Sequence, residues 1–104
     1  MNQQAMIRKM RQMQKELQET QEEIANSDFV QTAGGVVTIT VKGTKEIIKV
    51  EIAEDFEIES KEDIQMLQDM IIAACNNAYK DIDKTTEEKM AKYQAFFGGM
   101  GGMF

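Results

Sequence analysis

Arg8, Lys9, Arg11 and Lys15 are the residues of this sequence best suited to chemistry by type and spacing, and the chemistry they suit is anion binding. The first fifteen residues hold these four bases and no acid, in a chain of formal net charge minus 6. The sign then reverses through Glu16, Glu19, Glu22, Glu23 and Asp28. If both halves share one helix, this order opposes the macrodipole, which favours acids at the start and bases at the end by roughly 0.3 to 1 kcal/mol per well-placed charge. Helix stability alone would not select it. Two readings remain: a solvated helix face, or a positive prong on an acidic body that meets an anionic partner.

Other chemistries lack their residues. There is no histidine, the commonest acid–base and metal-ligand side chain, and the single cysteine, Cys75, has no base to activate it and is expected to be a buried thiol on an apolar stripe. The carboxylates between Glu54 and Asp63 match no calcium loop, since no central glycine or terminal glutamate frames them. The glycine pairs lack the strand-to-helix setting and lysine of a phosphate loop. No metal, cofactor or small-molecule substrate is expected, and no enzymatic activity.

The elements that must position the bases follow from periodicity. Over residues 3–26, Met6, Met10, Met13, Leu17 and Ile24 recur in steps of four and three, with Thr20 in the missing place, which predicts a helix with a narrow coiled-coil-like seam. At about 100° per residue, Arg8, Arg11 and Lys15 lie together opposite that seam, while Lys9 flanks it. The period then changes. Residues 28–32, 36–41 and 46–52 read as strands of a meander, joined by Ala33-Gly34-Gly35 and by Lys42-Gly43-Thr44-Lys45. Val37, Ile39 and Val41 share a face with Ile48, Val50 and Ile52 and should form the core, while Thr38, Thr40, Lys49 and Glu51 face water. Ser60, with an acid at Asp63, reads as the cap of a long second helix. Its main stripe is Ile64, Leu67, Ile71, Ala74, Cys75, Ala78 and Ile82, widened by Met66, Met70, Ile72 and Tyr79.

A first helix of about 24 residues is roughly 36 Å long, against roughly 14 Å for three strands side by side, so the helices must overhang the sheet. An overhanging methionine seam needs cover, and a symmetric homodimer would supply it. The small residues Ala73, Ala74 and Ala78 would admit a close neighbour. Met66, Met70, Ala73, Ala74 and Asn76 are the candidate dimer contacts, with Asn76 as readily satisfying a backbone group at a packed junction. No signal peptide or membrane span is evident, which predicts a cytoplasmic protein with no membrane partner.

Three stretches between about Arg8 and Ala91 stand out together: Met10-Arg11-Gln12-Met13-Gln14 with Gln21-Glu22-Glu23-Ile24-Ala25; Gly35-Val36-Val37-Thr38-Ile39-Thr40-Val41-Lys42-Gly43 leading to Val50-Glu51-Ile52; and, most specific, Asp69-Met70-Ile71-Ile72-Ala73-Ala74-Cys75-Asn76-Asn77-Ala78, followed by Glu88-Lys89-Met90. In these the chain resembles the YbaB/EbfC family of bacterial nucleoid-associated DNA-binding proteins. The resemblance implies an α+β fold of helix, three-stranded antiparallel meander and helix (α-β-β-β-α), dimeric, with helical arms projecting like tweezers to engage DNA. It implies one DNA-binding domain over residues 1–97, with residues 98–104 a flexible Gly/Met-rich tail.

On this reading the protein is a homodimer that binds double-stranded DNA in the nucleoid, mainly through phosphates, with a role in nucleoid organisation and gene regulation. Arg8, Lys9, Arg11 and Lys15 are the contact set. Lys84, Lys89 and Lys92 either join it at the arm tips or serve as solubilising charges among Asp81, Asp83, Glu87 and Glu88. An acidic body is poor for phosphate neutralisation unless positive charge is concentrated. The alternative is a non-enzymatic interaction module or prefoldin-like holdase whose methionine-lined surfaces bind proteins.

Overall fold

The computed structural model describes residues 2–99. The chain runs α1 (Gln3–Asn26), β1 (Asp28–Ala33), β2 (Val37–Lys42), β3 (Ile47–Ile52) and α2 (Lys61–Gly98), the α-β-β-β-α order expected. The strands form one antiparallel sheet in the order β1-β2-β3.

The meander takes its register from its turns. Gly34 and Gly35 both lie in the left-handed region, at φ 60° and 67°, where a side chain would be strained. The Val36 N–H donates to the Ala33 carbonyl at 3.1 Å, so Val36 belongs to the turn and β2 begins one residue later than its β-branched run suggests. A second glycine serves close approach. A Cβ on Gly43 would collide with the carbonyl of Ile24, at the C-terminal end of α1. Gly43→Ala should therefore push the β2–β3 connection off α1 and destabilise the fold by about 2 kcal/mol or more, read as a lowered Cm in urea at unchanged m-value.

Val37, Ile39 and Val41 are fully buried beneath α2, whose Ala74 and Ala78 are equally inaccessible. Small residues there let the helix backbone sit close to the sheet. α2 packs across β1 and β2. A helix about 10 Å wide covers roughly two strands spaced about 4.8 Å apart, so the third stays open. Hence Ile48, Val50 and Ile52, which alternation assigns to the core face, are 44%, 48% and 44% exposed. Cys75, on the same flank of α2, is half-buried and free rather than sealed in the core.

Beyond the sheet the two helices run together as an arm. Thr20 Oγ1 and Tyr93 OH are 3.1 Å apart, and the Lys89 ammonium donates to Glu23 Oε1 at 2.9 Å. As the α1 partner rises in number the α2 partner falls, so the pairing is antiparallel. Met13, Met90 and Tyr93 are buried along it. The molecule measures 72 × 21 × 16 Å. Phe96 and Phe97 are helical and meet edge to face with centroids 5.1 Å apart, and α2 runs on through Gly98, the first residue expected in the tail. The remaining tail expectation, for residues 100–104, lies outside the described residues.

Candidate nucleic-acid interface

The distal half of α1 is built to carry positive charge without neutralising it. Its first turn contains no acid, and the N-cap is the neutral Asn2, whose side chain accepts from the Ala5 N–H at 2.8 Å. A neutral cap satisfies an orphan N–H without adding a carboxylate to the tip. Arg8, Lys9, Arg11 and Lys15 are all exposed, and among the described residues none forms an ion pair. The ion pairs lie elsewhere: Lys42 with Asp28, Lys45 with Asp83, Lys49 with Glu51, and Lys89 with Glu23. The paired cations are thus on the body and shaft; of the eight without an ion pair among the described residues, four are gathered in the acid-free stretch at the end of α1, and the other four, Lys61, Lys80, Lys84 and Lys92, are spread along α2 among acids.

Continuing the register set by Thr20–Tyr93 and Glu23–Lys89 brings Gly98 level with Gln14 and Lys15. Residues 3–12 of α1, N-terminal to the buried Met13, therefore extend past the end of α2 by roughly 15 Å at 1.5 Å per residue. Among the described residues N-terminal to Met13, no side chain is buried. Arg8, Arg11 and Lys15 form a ridge along this stretch, and the same face continues toward the sheet through Glu19 and Glu22, also exposed. One ridge is positive at its free end and negative at its root.

The second-helix lysines sit on the shaft. Lys89 is held by Glu23, and the Lys92 ammonium lies 5.0 Å from the centre of the Tyr93 ring. Lys84 is exposed and pairs with no acid among the described residues, but it stands level with the start of the sheet, roughly 30 Å along the arm from Arg8.

Ile7 escaped the periodic reading because it falls outside the methionine seam. It is 47% exposed and lines an open hollow of about 230 Å³ with Gln4, Arg8 and Arg11. Its spacing from Arg11 and Gln4, four and three residues, is the signal that places it on the basic face.

The residues expected at a dimer contact are divided. Met66, Ala73 and Asn76 are exposed, Met70 is half-buried against the Gly34 turn, and Ala74 is enclosed by the protomer's own core. An open apolar surface lies instead along β3, where Ile47, Ile48, Val50 and Ile52 are 42–48% exposed. It continues onto the α2 flank carrying Ile64 and Ile72. That flank also bears Tyr79 and Asp83, which reach the β2–β3 connection: Tyr79 OH donates to the Lys45 carbonyl at 3.2 Å, and Asp83 pairs with Lys45 at 3.0 Å.

Of the carboxylates between Glu54 and Asp63, the last caps the start of α2. Asp63 Oδ2 accepts from the Glu59 and Ser60 N–H groups at 2.9 and 3.2 Å, and no cluster able to hold a metal ion occurs among the described residues. No described helix is long and apolar enough to cross a membrane.

Comparison with known proteins agrees with this geometry. The YbaB/EbfC DNA-binding family matches residues 1–97. A nucleoid-associated protein of Clostridium novyi is 38% identical over 105 aligned residues, covering 100% of this chain and 90% of its own. One from Lactococcus lactis is 38% identical over 94, covering 89% and 93%. The crystal structure of an uncharacterized protein from Helicobacter pylori superposes with a TM-score of 0.60 at 20% identity, covering 97% and 99%, and shares the fold.

Proposed function

This chain belongs to the YbaB/EbfC DNA-binding family, and on that premise we propose that it is a homodimer gripping duplex DNA through the free ends of its arms. Arg8, Lys9, Arg11 and Lys15 meet phosphates, and the protein works by binding rather than catalysis, organising the nucleoid and influencing gene expression. The observation that carries this reading is the set of four exposed cations, free of carboxylate partners among the described residues, at the end of α1. Concentrating charge there answers the objection raised by the acidic composition, because phosphates meet the tip before the body.

The open apolar face at β3 supports the dimer, because a second copy would cover it. β3 is an edge strand, and exposed apolar edges invite pairing. Antiparallel pairing about a two-fold axis at Val50 would set Lys49 opposite the partner's Glu51, a self-complementary arrangement of the kind isologous contacts require. The two sheets would become one of six strands, with Ile64 and Ile72 of both copies closing over its centre. Lys84 and Lys92 act on this reading as secondary, shaft-level charges.

Duplex affinity measured against salt tests the reading. Counterion release gives a slope of about −0.9 per phosphate neutralised, so six to eight tip cations per dimer predict a slope of about −5 to −7. Absence of duplex binding at about 150 mM salt would overturn it. The holdase alternative loses Met13 and Met90, which are buried in the arm, and keeps Met6 and Met66, which are exposed.

A further inference from the structure

We propose that the tip does more than neutralise phosphates: Gln4, Ile7, Arg8 and Arg11 form a surface that enters the major groove and reads base edges. This rests on the duplex-binding reading above. Residues at i, i+3, i+4 and i+7 lie on one face of a helix, and these four line a common hollow. Arginine and glutamine are the side chains whose geometry suits bidentate contact, Arg to guanine and Gln to adenine.

Ile7 is the decisive member. An isoleucine exposed among two arginines and a glutamine contributes nothing to the α1–α2 seam, and it can neither neutralise nor hydrogen-bond a phosphate. Desolvating it is favourable only against apolar surface. On the floor of the major groove that surface is the C5-methyl of thymine.

The access is also right. A bare helix about 10–12 Å across fits a major groove about 12 Å wide, whereas a pair of helices does not. Among the described residues α1 alone continues past Gly98, so residues 3–12 can descend into the groove. Lys15, level with the end of α2, and Lys9, flanking the seam, then remain at the height of the phosphates.

The test uses the full chain and matched duplexes in which thymine is replaced by uracil, which removes the C5-methyl alone. The native protein should bind the thymine duplex roughly fourfold more tightly for each methyl covered. Ile7→Ala should erase that difference, and Arg8→Lys or Arg11→Lys, which keeps charge but loses the bidentate fork, should flatten preference among guanine-containing sites at an unchanged salt slope. Equal affinity for the thymine and uracil duplexes, with base preference untouched by Arg11→Lys, would overturn base reading and leave phosphate binding standing. Failure of the native chain to bind any duplex would overturn both.

Discussion

Reversing Arg8, Arg11 and Lys15 together to glutamate should lower duplex affinity at least 100-fold at about 150 mM salt and remove most of its salt dependence. Counted as phosphate neutralisers, three cations per arm in the proposed dimer account for at most about −5 of the expected slope, and each reversal adds repulsion to lost attraction. The fold should survive. All three side chains are exposed, and none pairs with an acid among the described residues, so nothing packed is disturbed. The new like-charge neighbours at four-residue spacing, Lys15→Glu beside Glu19 among them, cost about 0.2 to 0.5 kcal/mol each. Thermal melting should accordingly move by no more than a few degrees while binding collapses. Lys84→Glu should cost less than Arg11→Glu alone, because it acts from roughly 30 Å away and the Debye length at that salt is about 8 Å. Fluorescence anisotropy across a salt series, with circular dichroism on the same samples, reads both quantities. A folded triple variant with native affinity would remove these residues from the interface.

The second large effect concerns assembly. Val50→Lys puts an ammonium at the centre of the open β3 face, where a two-fold axis would oppose it with its own copy. Two like charges at a desolvated contact cannot both be accommodated, so the dimer constant should weaken by at least 100-fold. A lysine was chosen because it adds positive charge. If DNA binding were only a matter of total charge, the variant would bind better. Loss of two-armed attachment instead predicts a fall of roughly 10² or more, the usual gain from linking two sites. Ile72→Lys, on the adjoining flank of α2, should act in the same direction. Sedimentation velocity gives the mass, and a dimer persisting in both variants at micromolar concentration would place the contact elsewhere.

The helices were legible because their signals are local. The methionine seam defines α1, and Thr20, which interrupts that seam, proves to be its one polar step, bonded to Tyr93 across the arm. Ser60 and Asp63 mark the start of α2. The strands were legible in number and order, but β2 begins at Val37 because Gly34, Gly35 and Val36 are all used in the turn. What escaped was what depends on widths and lengths. Alternation puts Val50 beside Ile39 on one face, yet cannot say that a single helix covers Ile39 and stops short of Val50. The basic cluster was visible in composition. That it stands past the end of α2, while Lys89 is tied to Glu23, depends on the antiparallel register, which no spacing within α1 encodes. Ile7 was passed over because a search for the apolar seam discards apolar residues on the other face.

The mismatch in reach between the two helices also divides the arm mechanically. From Met13 to Asn26, α1 is braced by α2, but residues 3–12 rest chiefly on their own backbone hydrogen bonds and the Asn2 cap. Helices of that length are marginal in water when nothing packs against them. On the duplex-binding proposal, the walls of the DNA groove would supply to this stretch the brace that α2 supplies to the rest of α1.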